Sequence, residues 1–323
     1  MAVFLTNEDV EGLISLDECI EVLENMYQQQ ADGLVEVLPR RRFNFPNGKS
    51  QLLMGGSVLG SGVYGIRSRN VSLLFDTATL EVIAAIEPSA LARMRTGATT
   101  ALAAKYMAAV DASTVGIIGT GHQAAIQLRA LSLVRPIVRV RAYSRSRENR
   151  TAFAQKMAGE LGIEVVAARS PEECVRGADI LVTATTSSQP VLDGSWLKPG
   201  VHISAMGSNS WARRELDQAA VERADLIVVD SIEQARTECG DLIWAAEPAI
   251  VPGAGYDSRE PSTFRWWDVI ELHAIVSGKV PGRPFEAAIT LFETQGIGVA
   301  DVACYSRLAS NARVAGVGEP LPF

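Results

Sequence analysis

The feature that most constrains the fold is a regular alternation of apolar strands and helices that begins at Ser113. The run STVGIIGTGHQAAIQLRAL has the pattern of a buried strand, a glycine turn and a helix. Further apolar strands are predicted at VRVRAYS, IEVVAA, DILVTATT, VHISAMG and DLIVVDS, mostly separated by helical stretches. Strands that alternate with helices in this way predict an α/β fold with a doubly wound parallel sheet.

The segments before this alternation predict a second domain of the α+β type. Residues 1–35 carry apolar positions spaced for one face of an amphipathic helix, and residues 36–90 have the pattern of strands broken by turns. The alanine-rich run SALARMRTGATTALAAKYMAA that follows predicts a long helix.

The end of the chain is predicted to complete this second domain. The run GVADVACYSRLASNARVAG near the carboxyl terminus indicates helices rich in glycine and alanine that return to the first region. We therefore predict two domains, one at residues 1–110, completed by 296–323, and the other at residues 111–295.

Composition and charge exclude several classes of function. The chain has 323 residues, 47% of them hydrophobic and 21% charged, which is enough apolar content for a full core. The formal net charge of −7 argues against binding to a phosphate backbone, so no nucleic acid partner is expected. No uncharged apolar run reaches the length of a membrane span, so no membrane partner is expected either.

The amino terminus and the cysteines point to the cytoplasm. The start MAVFLTNEDVEGL carries acidic residues where a signal peptide would be positive. The four cysteines stand alone without a CxxC pair, and the three histidines are scattered. This pattern is typical of free thiols in a reducing compartment and predicts no metal site.

The glycine turn has the form of a dinucleotide fingerprint. In Gly119-Thr-Gly121-His-Gln-Ala124 the first glycine permits a tight turn and the second lets the backbone approach a pyrophosphate. The small third residue allows the helix to pack on the strand, and the helix amino terminus favours the phosphate charge. His122 has the alternative of an exposed side chain without a cofactor contact. The predicted cofactor residues in this turn are Gly119, Thr120, Gly121, His122, Gln123 and Ala124.

The end of the second strand bears on the choice between NAD(H) and NADP(H). An acidic residue that would bind a free ribose 2′-hydroxyl is missing, and the sequence there contains Ser144, Arg145 and Ser146. Serine and arginine can accept a 2′-phosphate, which favours NADP(H). An arginine can also stack on adenine, which leaves NAD(H) open.

Two later loops follow strands whose carboxyl ends should face the same crevice. Ligands bind at that edge of a doubly wound sheet, and small hydroxyl residues suit ribose and nicotinamide contacts. Ordinary strand-end turns are the alternative interpretation. The residues predicted to contact the cofactor here are Ala184, Thr185, Thr186, Met206, Gly207 and Ser208.

The whole chain resembles the ornithine cyclodeaminase/mu-crystallin family. The resemblance rests on ALARMRTGATTALAAKYMAAVDASTVGIIGTGHQA, MGSNSWARRELD, DLIVVDSIEQARTECGDL and GKVPGRP with ITLFETQGIGVAD, in this order. It implies a Rossmann domain, a second domain for substrate and dimerisation, and a homodimer. It also implies hydride transfer between nicotinamide and the α-carbon of an amino acid or imine.

The resemblance also implies two arginines that hold the substrate carboxylate. Arg95, in RTGA, matches one of them, and a guanidinium fork suits a carboxylate. Arg40 is the simplest match for the other, although the register of the run PRRR could slip by one or two residues, to Arg41 or Arg42.

Two positions depart from the cyclising members of the family. Arg67 stands where the family usually has a lysine, and Asn209 stands where cyclodeaminases carry an aspartate. An arginine stays protonated and an asparagine is not a base, so neither performs acid–base work easily at neutral pH. Arg67, Asn209 and Arg95 are the predicted catalytic residues, with Arg67 binding a carboxylate, or a carbonyl in a reversed pose.

These residues predict an imine reductase that uses NAD(H) or NADP(H). A preformed iminium carries its own proton, so the site has only to orient it and hold its carboxylates. The many arginines and the scarcity of lysine favour a dicarboxylic substrate such as iminosuccinate, which would give aspartate. The same chemistry reversed is an amino-acid dehydrogenase. The alternatives are an ornithine cyclodeaminase and a cofactor-binding protein without enzymatic activity, similar to mu-crystallin.

Overall fold

A computed structural model describes residues 2–246 and 262–322. The first elements are β1 (Val3–Leu5), α1 (Asn7–Leu13), α2 (Leu16–Ala31), β2 (Val35–Asn44), β3 (Ser50–Val58), β4 (Val63–Arg67), β5 (Ser72–Asp76), β6 (Val82–Ile86) and α3 (Ser89–Met107). The middle elements are β7 (Thr114–Ile118), α4 (His122–Val134), β8 (Arg139–Tyr143), α5 (Arg147–Leu161), β9 (Glu164–Ala167), α6 (Pro171–Val175), β10 (Ile180–Thr183), β11 (His202–Ala205), α7 (Gln218–Glu222), β12 (Leu226–Val229), α8 (Ile232–Glu238) and α9 (Gly240–Ala246). The last are β13 (Ile270–Glu271), α10 (Leu272–Val276), β14 (Thr290–Glu293), α11 (Gly298–Ala315) and β15 (Glu319–Pro320). Single 3-10 turns cover Leu59–Ser61, Gly194–Trp196 and Trp266–Asp268.

The chain divides into two compact units. The first comprises Met1–Thr99 and Gly296–Phe323, and the second comprises Thr100–Gln295. The sequence placed the first boundary at residue 110, where the alanine-rich helix ends, but the contacts place it inside α3. The reason is that Ala104 and Ala108, near the end of this helix run, are buried in the core of the second unit.

The second unit is built on an eight-stranded sheet in the order β13-β12-β14-β11-β10-β7-β8-β9. Every strand pair in it is parallel. The chain runs outward from β7 through β8 to β9, and then returns to the other side of β7 at β10. This reversal between β7 and β10 is the switch point at which doubly wound sheets bind ligands. The predicted doubly wound α/β fold is confirmed.

Both faces of this sheet are covered, as the continuous apolar strands predict. Ile117 contributes to one buried cluster together with Leu128 of α4 and Phe153 of α5. The next residue, Ile118, points to the other face and belongs to a cluster with Leu181. The switch point therefore stands on a strand that is fixed from both sides.

The first unit is a seven-stranded sheet in the order β15-β1-β6-β5-β4-β3-β2. The strands from β2 to β6 are antiparallel neighbours, while β1 joins β6 in parallel. Helix α11 begins very close to β3, because a Cβ atom on Gly298 would lie 2.3 Å from the backbone nitrogen of Gly55. Two glycines thus bring the first turn of α11 directly onto the sheet.

The amino terminus differs from the single amphipathic helix predicted for residues 1–35. Val3–Leu5 is a strand, and two helices follow it. Thr6 and Ser15 each begin a helix with a capping box, in which the side chains of Asp9 and Glu18 bond back to the cap. The T-x-x-D and S-x-x-E spacings are the sequence signals that could have located both starts.

Within residues 2–246 and 262–322, no helix combines the length and the apolar character that crossing a membrane requires.

Candidate cofactor and substrate-binding sites

The predicted glycine turn lies at the switch point of the second unit. Gly119 follows β7 with φ +113°, and a Cβ atom there would lie 2.3 Å from the carbonyl oxygen of Ala184, which follows β10. The backbone amide of Gly119 donates to Tyr143 O at 2.8 Å, and that of Ala184 donates to Ile118 O at 2.8 Å. The turn is therefore tied to the strands on both sides.

The start of α4 fits a phosphate group. Gly121 is the N-cap and no side chain caps the helix there, so its first amides have no side-chain acceptor. A Cβ atom on Gly121 would meet no atom of the protein within 4 Å, so the turn is open on this side. Thr120 and Gln123 are half-buried, His122 is exposed, and Ala124 is buried under the helix. These residues fit a dinucleotide pyrophosphate.

The three residues predicted after the second strand lie beside the glycine turn. The hydroxyl of Ser144 accepts a hydrogen bond from the hydroxyl of Thr120 at 2.8 Å and lies 3.2 Å from Ser146 O, to which it donates. The side chain of Ser146 caps α5 by accepting from the amide of Asn149 at 3.1 Å. Arg145 is exposed. Both serine hydroxyls are thus already engaged within the protein.

The two later loops are joined by a buried glutamate. The carboxylate of Glu215 accepts from the amide of Thr185 through Oε1 at 2.5 Å and from the amide of Gly207 through Oε2 at 2.7 Å. Glu215 is 0% exposed, and burial raises its pKa. Ala184 and Met206 are half-buried in these loops, and Thr186 is exposed.

Two further buried carboxyl groups, those of Asp241 and Glu293, lie near Glu215. Asp241 accepts from the backbone amides of Glu215 and Leu216 through Oδ1, at 2.7 and 2.9 Å. Burial raises the pKa of Asp241 to about 7, and burial raises that of Glu293 well above its usual value. The negative charges of Asp241 and Glu215 raise the pKa of Glu293 further.

The hydroxyl of Ser208 belongs to the same buried network. It donates to Arg213 O at 3.0 Å and accepts from the amide of Asp241 at 3.2 Å. Its side chain is therefore engaged inside the protein, and a contact between Ser208 and a cofactor stays a prediction.

Within the described parts of the chain, no group of three or more His, Cys, Asp or Glu side chains could hold a metal ion.

Replacing Glu293 by glutamine should change the pH dependence of stability. The folded wild type keeps a proton on Glu293 at pH values where the unfolded chain has lost it. Its contribution to stability is therefore greatest below about pH 4.5 and is lost as the pH rises, by up to about 1.4 kcal/mol per pH unit. Glu293→Gln lacks this contribution, so urea unfolding between pH 5 and 8 should show the variant gaining on the wild type as the pH rises. Parallel stability curves would contradict a protonated Glu293.

The predicted arginines of the first unit meet at one carboxylate that the sequence did not single out. Asp301, in the first turn of α11, is 0% exposed. It accepts from Nη1 of Arg67, at the end of β4, at 3.2 Å and from Nε of Arg95, in α3, at 3.2 Å. Arg95 is 4% exposed, so its guanidinium is held in a fixed position away from bulk water.

Arg40 approaches the same region through the backbone that precedes α11. Its Nη2 donates to Gly296 O at 3.0 Å. Gly296 has φ +76°, and a Cβ atom on it would lie 2.6 Å from Nη1 of Arg95. Arg41, the alternative in the register, is exposed. The structure thus gathers Arg40, Arg67 and Arg95 around the segment from Gly296 to Asp301.

Asn209 belongs to the other unit. It follows β11, its side chain is exposed, and its amide donates to Gly207 O at 3.1 Å. It lies two residues from the Glu215-bound amide of Gly207. Its catalytic role stays a prediction.

The fold and the fingerprint define a dinucleotide-binding protein of the Rossmann class. A family model described as the ornithine cyclodeaminase/mu-crystallin family matches residues 1–314. The chain belongs to the ornithine cyclodeaminase/mu-crystallin family, as predicted, and it is an oxidoreductase.

Among the solved structures similar to the chain are two imine reductases and an amino-acid dehydrogenase. Thermococcus litoralis Δ1-pyrroline-2-carboxylate reductase, in complex with NADH and L-proline, is 31% identical with a TM-score of 0.89, over 99% of this chain and 100% of that one. Paracoccus denitrificans iminosuccinate reductase with NAD⁺ is 27% identical with a TM-score of 0.89, over 100% and 99%. An archaeal alanine dehydrogenase dimer with bound NAD is 28% identical with a TM-score of 0.88, over 100% and 99%. The predicted cofactor class, NAD(H) or NADP(H), agrees with these bound molecules.

Proposed function

We propose that the protein reduces a small α-imino acid to the amino acid, with iminosuccinate as the first candidate substrate and aspartate as its product. The observation that carries the proposal is the gathering of Arg40, Arg67 and Arg95 around one buried carboxylate, Asp301. Three guanidinium groups in one place offer several N–H donors with the fork geometry that carboxylates accept, which suits a substrate with two carboxylates.

The protein residues have modest chemical tasks in this reaction. The glycine turn and the start of α4 would hold the dinucleotide, whose nicotinamide would supply the hydride for the reduction. Arg95 and Arg40 hold the α-carboxylate, and Arg67 binds the second carboxylate while Asp301 fixes its guanidinium. The iminium already carries its proton, so no side chain has to supply one.

NAD(H) is the proposed cofactor. The hydroxyl of Ser144 already donates its proton to the carbonyl oxygen of Ser146, so it has no proton left to donate to a 2′-phosphate. The three similar structures were solved with NADH, NAD⁺ or NAD. Both observations favour the cofactor without the 2′-phosphate.

Ornithine cyclodeamination is disfavoured by two positions. That reaction needs groups that accept and return protons during imine formation and amine attack. Arg67 is paired with Asp301, a guanidinium is not suited to proton exchange, and Asn209 cannot act as a base. Turnover of ornithine to proline without net consumption of nicotinamide would restore the assignment as a cyclodeaminase. A cofactor-bound protein that is inert toward every imine would favour the non-enzymatic alternative.

A homodimer is proposed on the edge of the first sheet. Strand β2 is the terminal strand of that sheet, is ten residues long and leaves Leu38 and Phe43 exposed by 41 and 54%. Phe45, directly after the strand, is exposed by 49%. A long edge strand with exposed apolar side chains is a ready partner for a second copy. The alanine dehydrogenase named above is a dimer.

The cytoplasm is the proposed location, because all four cysteines are free and buried.

The test is the loss of NADH or NADPH absorbance with a panel of carbonyl and imine substrates. Oxaloacetate, pyruvate and glyoxylate are each offered with ammonia or methylamine, beside a cyclic ketimine. Oxaloacetate with ammonia should be fastest, and Arg67→Ala should lower its kcat/KM by about 100-fold while affecting pyruvate much less. Arg69→Ala, an exposed arginine two positions away, is the matched control and should leave both unchanged.

Two outcomes would count against parts of this proposal. An equal loss for oxaloacetate and pyruvate in Arg67→Ala would remove the role of Arg67 toward a second carboxylate. The absence of oxidation with every pair, in protein that binds the cofactor, would overturn the reductase assignment.

A further inference from the structure

The second unit contains a buried acidic residue whose position is explained by neither the glycine turn nor the substrate arginines. Glu215 lies between β11 and α7, in a charged run that would ordinarily face solvent. Instead its side chain enters the unit and is 0% exposed. Burying a carboxyl group costs several kcal/mol unless hydrogen bonds offset the loss of water, so the bonds that it makes should matter to the fold or the function.

These bonds join two loops that are not consecutive in the sequence. Thr185 follows β10 and Gly207 follows β11, and their backbone amides donate to the two carboxylate oxygens of Glu215, at 2.5 and 2.7 Å. Two acceptor oxygens that each meet one amide donor are the arrangement that a carboxylate, and not an amide side chain, can satisfy. Both loops stand at the carboxyl edge of the sheet.

The local sequence is fitted around this carboxylate. A Cβ atom on Gly207 would lie 2.4 Å from Oε2 of Glu215, so only glycine lets the loop approach it. The backbone of Glu215 is held as well, because Asp241 accepts from its amide at 2.7 Å and its own carbonyl accepts from Val191 and Leu192 at 2.8 and 3.0 Å. The position of the carboxylate is therefore set before either loop meets a ligand.

We propose that Glu215 is a positioning residue that holds the loops after β10 and β11 in the conformation that binds the nicotinamide half of the cofactor. The inference rests on the proposed function, since it requires a dinucleotide at this edge of the sheet. By fixing two amides, Glu215 removes the freedom that each loop would otherwise lose on binding. Glu215 is expected to raise the affinity for the cofactor indirectly. It holds the two amides, and the loop residues next to them would contact the cofactor.

The test compares Glu215 with Asp179. Both carboxylates accept hydrogen bonds from backbone amides, at opposite edges of the same sheet. Glu215→Gln keeps the size of the side chain but turns an amide NH₂ toward one of the two donors. Asp179→Asn is the matched control, because Asp179 accepts from the amides of Ser113 and Thr114 at 3.0 and 2.9 Å, at the amino ends of β7 and β10. The measurements are NADH affinity by fluorescence titration and Tm.

Glu215→Gln should raise the Kd for NADH about tenfold or more, and Asp179→Asn should leave it within about twofold, although both lower Tm. An unchanged Kd in Glu215→Gln, or an equal rise in both variants, would overturn the positioning role. If the wild type binds neither NADH nor NADPH, the proposed function fails together with this inference. If the wild type binds and the variant binds equally well, the inference fails alone.

Amide hydrogen exchange in the wild type gives a second measurement that does not depend on the variant folding. The amides of Thr185 and Gly207 should already exchange slowly in cofactor-free protein, because the carboxylate holds them before binding. Protection that arises only when NADH is added would show that the cofactor, and not Glu215, orders the loops, and would overturn the proposal.

Discussion

Arg95→Lys is expected to lower kcat/KM for the imine by about 1000-fold, mostly through KM. Lysine keeps the charge but lacks the guanidinium fork, so it cannot hold a carboxylate by two parallel bonds while also donating to Asp301. Arg95 is 4% exposed and its Nε lies 3.2 Å from Oδ1 of Asp301. Water therefore cannot replace the N–H donors that are lost when lysine takes the place of arginine. The measurement is steady-state oxidation of NADH with the best substrate of the panel.

A second arginine on the same helix provides the control. Arg93 lies two residues earlier, and its side chain is 40% exposed in an ion pair with Glu11 at 3.4 Å. Exposed pairs of this kind contribute little, so Arg93→Lys should leave both kinetic constants within twofold. An Arg95→Lys enzyme with a kcat/KM within threefold of the wild type would exclude Arg95 as the carboxylate-binding residue.

The second prediction with a large effect concerns the two glycines of the turn, which should respond differently to replacement by alanine. Gly119→Ala should destabilise the protein by about 3 kcal/mol or more, because φ is +113° and the new Cβ would lie 2.3 Å from a backbone carbonyl oxygen. Gly121→Ala should leave Tm nearly unchanged, because its φ is −86° and no protein atom lies within 4 Å of the added carbon. It should instead raise the Kd for NADH about 100-fold, since the methyl group occupies the space of the pyrophosphate.

Thermal unfolding and NADH titration of the two variants check this contrast. The result opposite to the expectation is a Gly121→Ala protein that binds NADH as tightly as the wild type. In that case the phosphate would lie elsewhere than at the start of α4, and the fingerprint would be a structural turn only.

The parts of the fold that could be predicted are those encoded by short stretches of sequence. The strand Thr114–Ile118, the glycine turn and the helix after it are adjacent in the chain, so their pattern is visible without knowledge of the contacts. The starts of α1 and α2 were also locally encoded, by the N-cap residues Thr6 and Ser15. They were missed because the apolar positions of residues 1–35 fit one continuous helix face.

The residues that could not be predicted acquire their roles through contacts distant in sequence. Asp301 stands 206 residues from Arg95 and 234 from Arg67, and in the sequence it is an ordinary acid in the first turn of a helix. Glu215 lies in the run ARREL, which has the composition of an exposed segment. Glu293 had a weak signal, since it ends the apolar strand TLFE, where an unpaired charge is costly.

The pairing of Asp301 with two arginines has a consequence for turnover. A buried guanidinium left without a counter-charge costs several kcal/mol, and this cost would oppose the departure of any carboxylate bound to it. Asp301 belongs to the protein and stays when the product leaves, so Arg67 and Arg95 are never left without an anion. Under the proposed function, the amino acid product would share these donors with a resident carboxylate, which would weaken its binding and favour its release into solution.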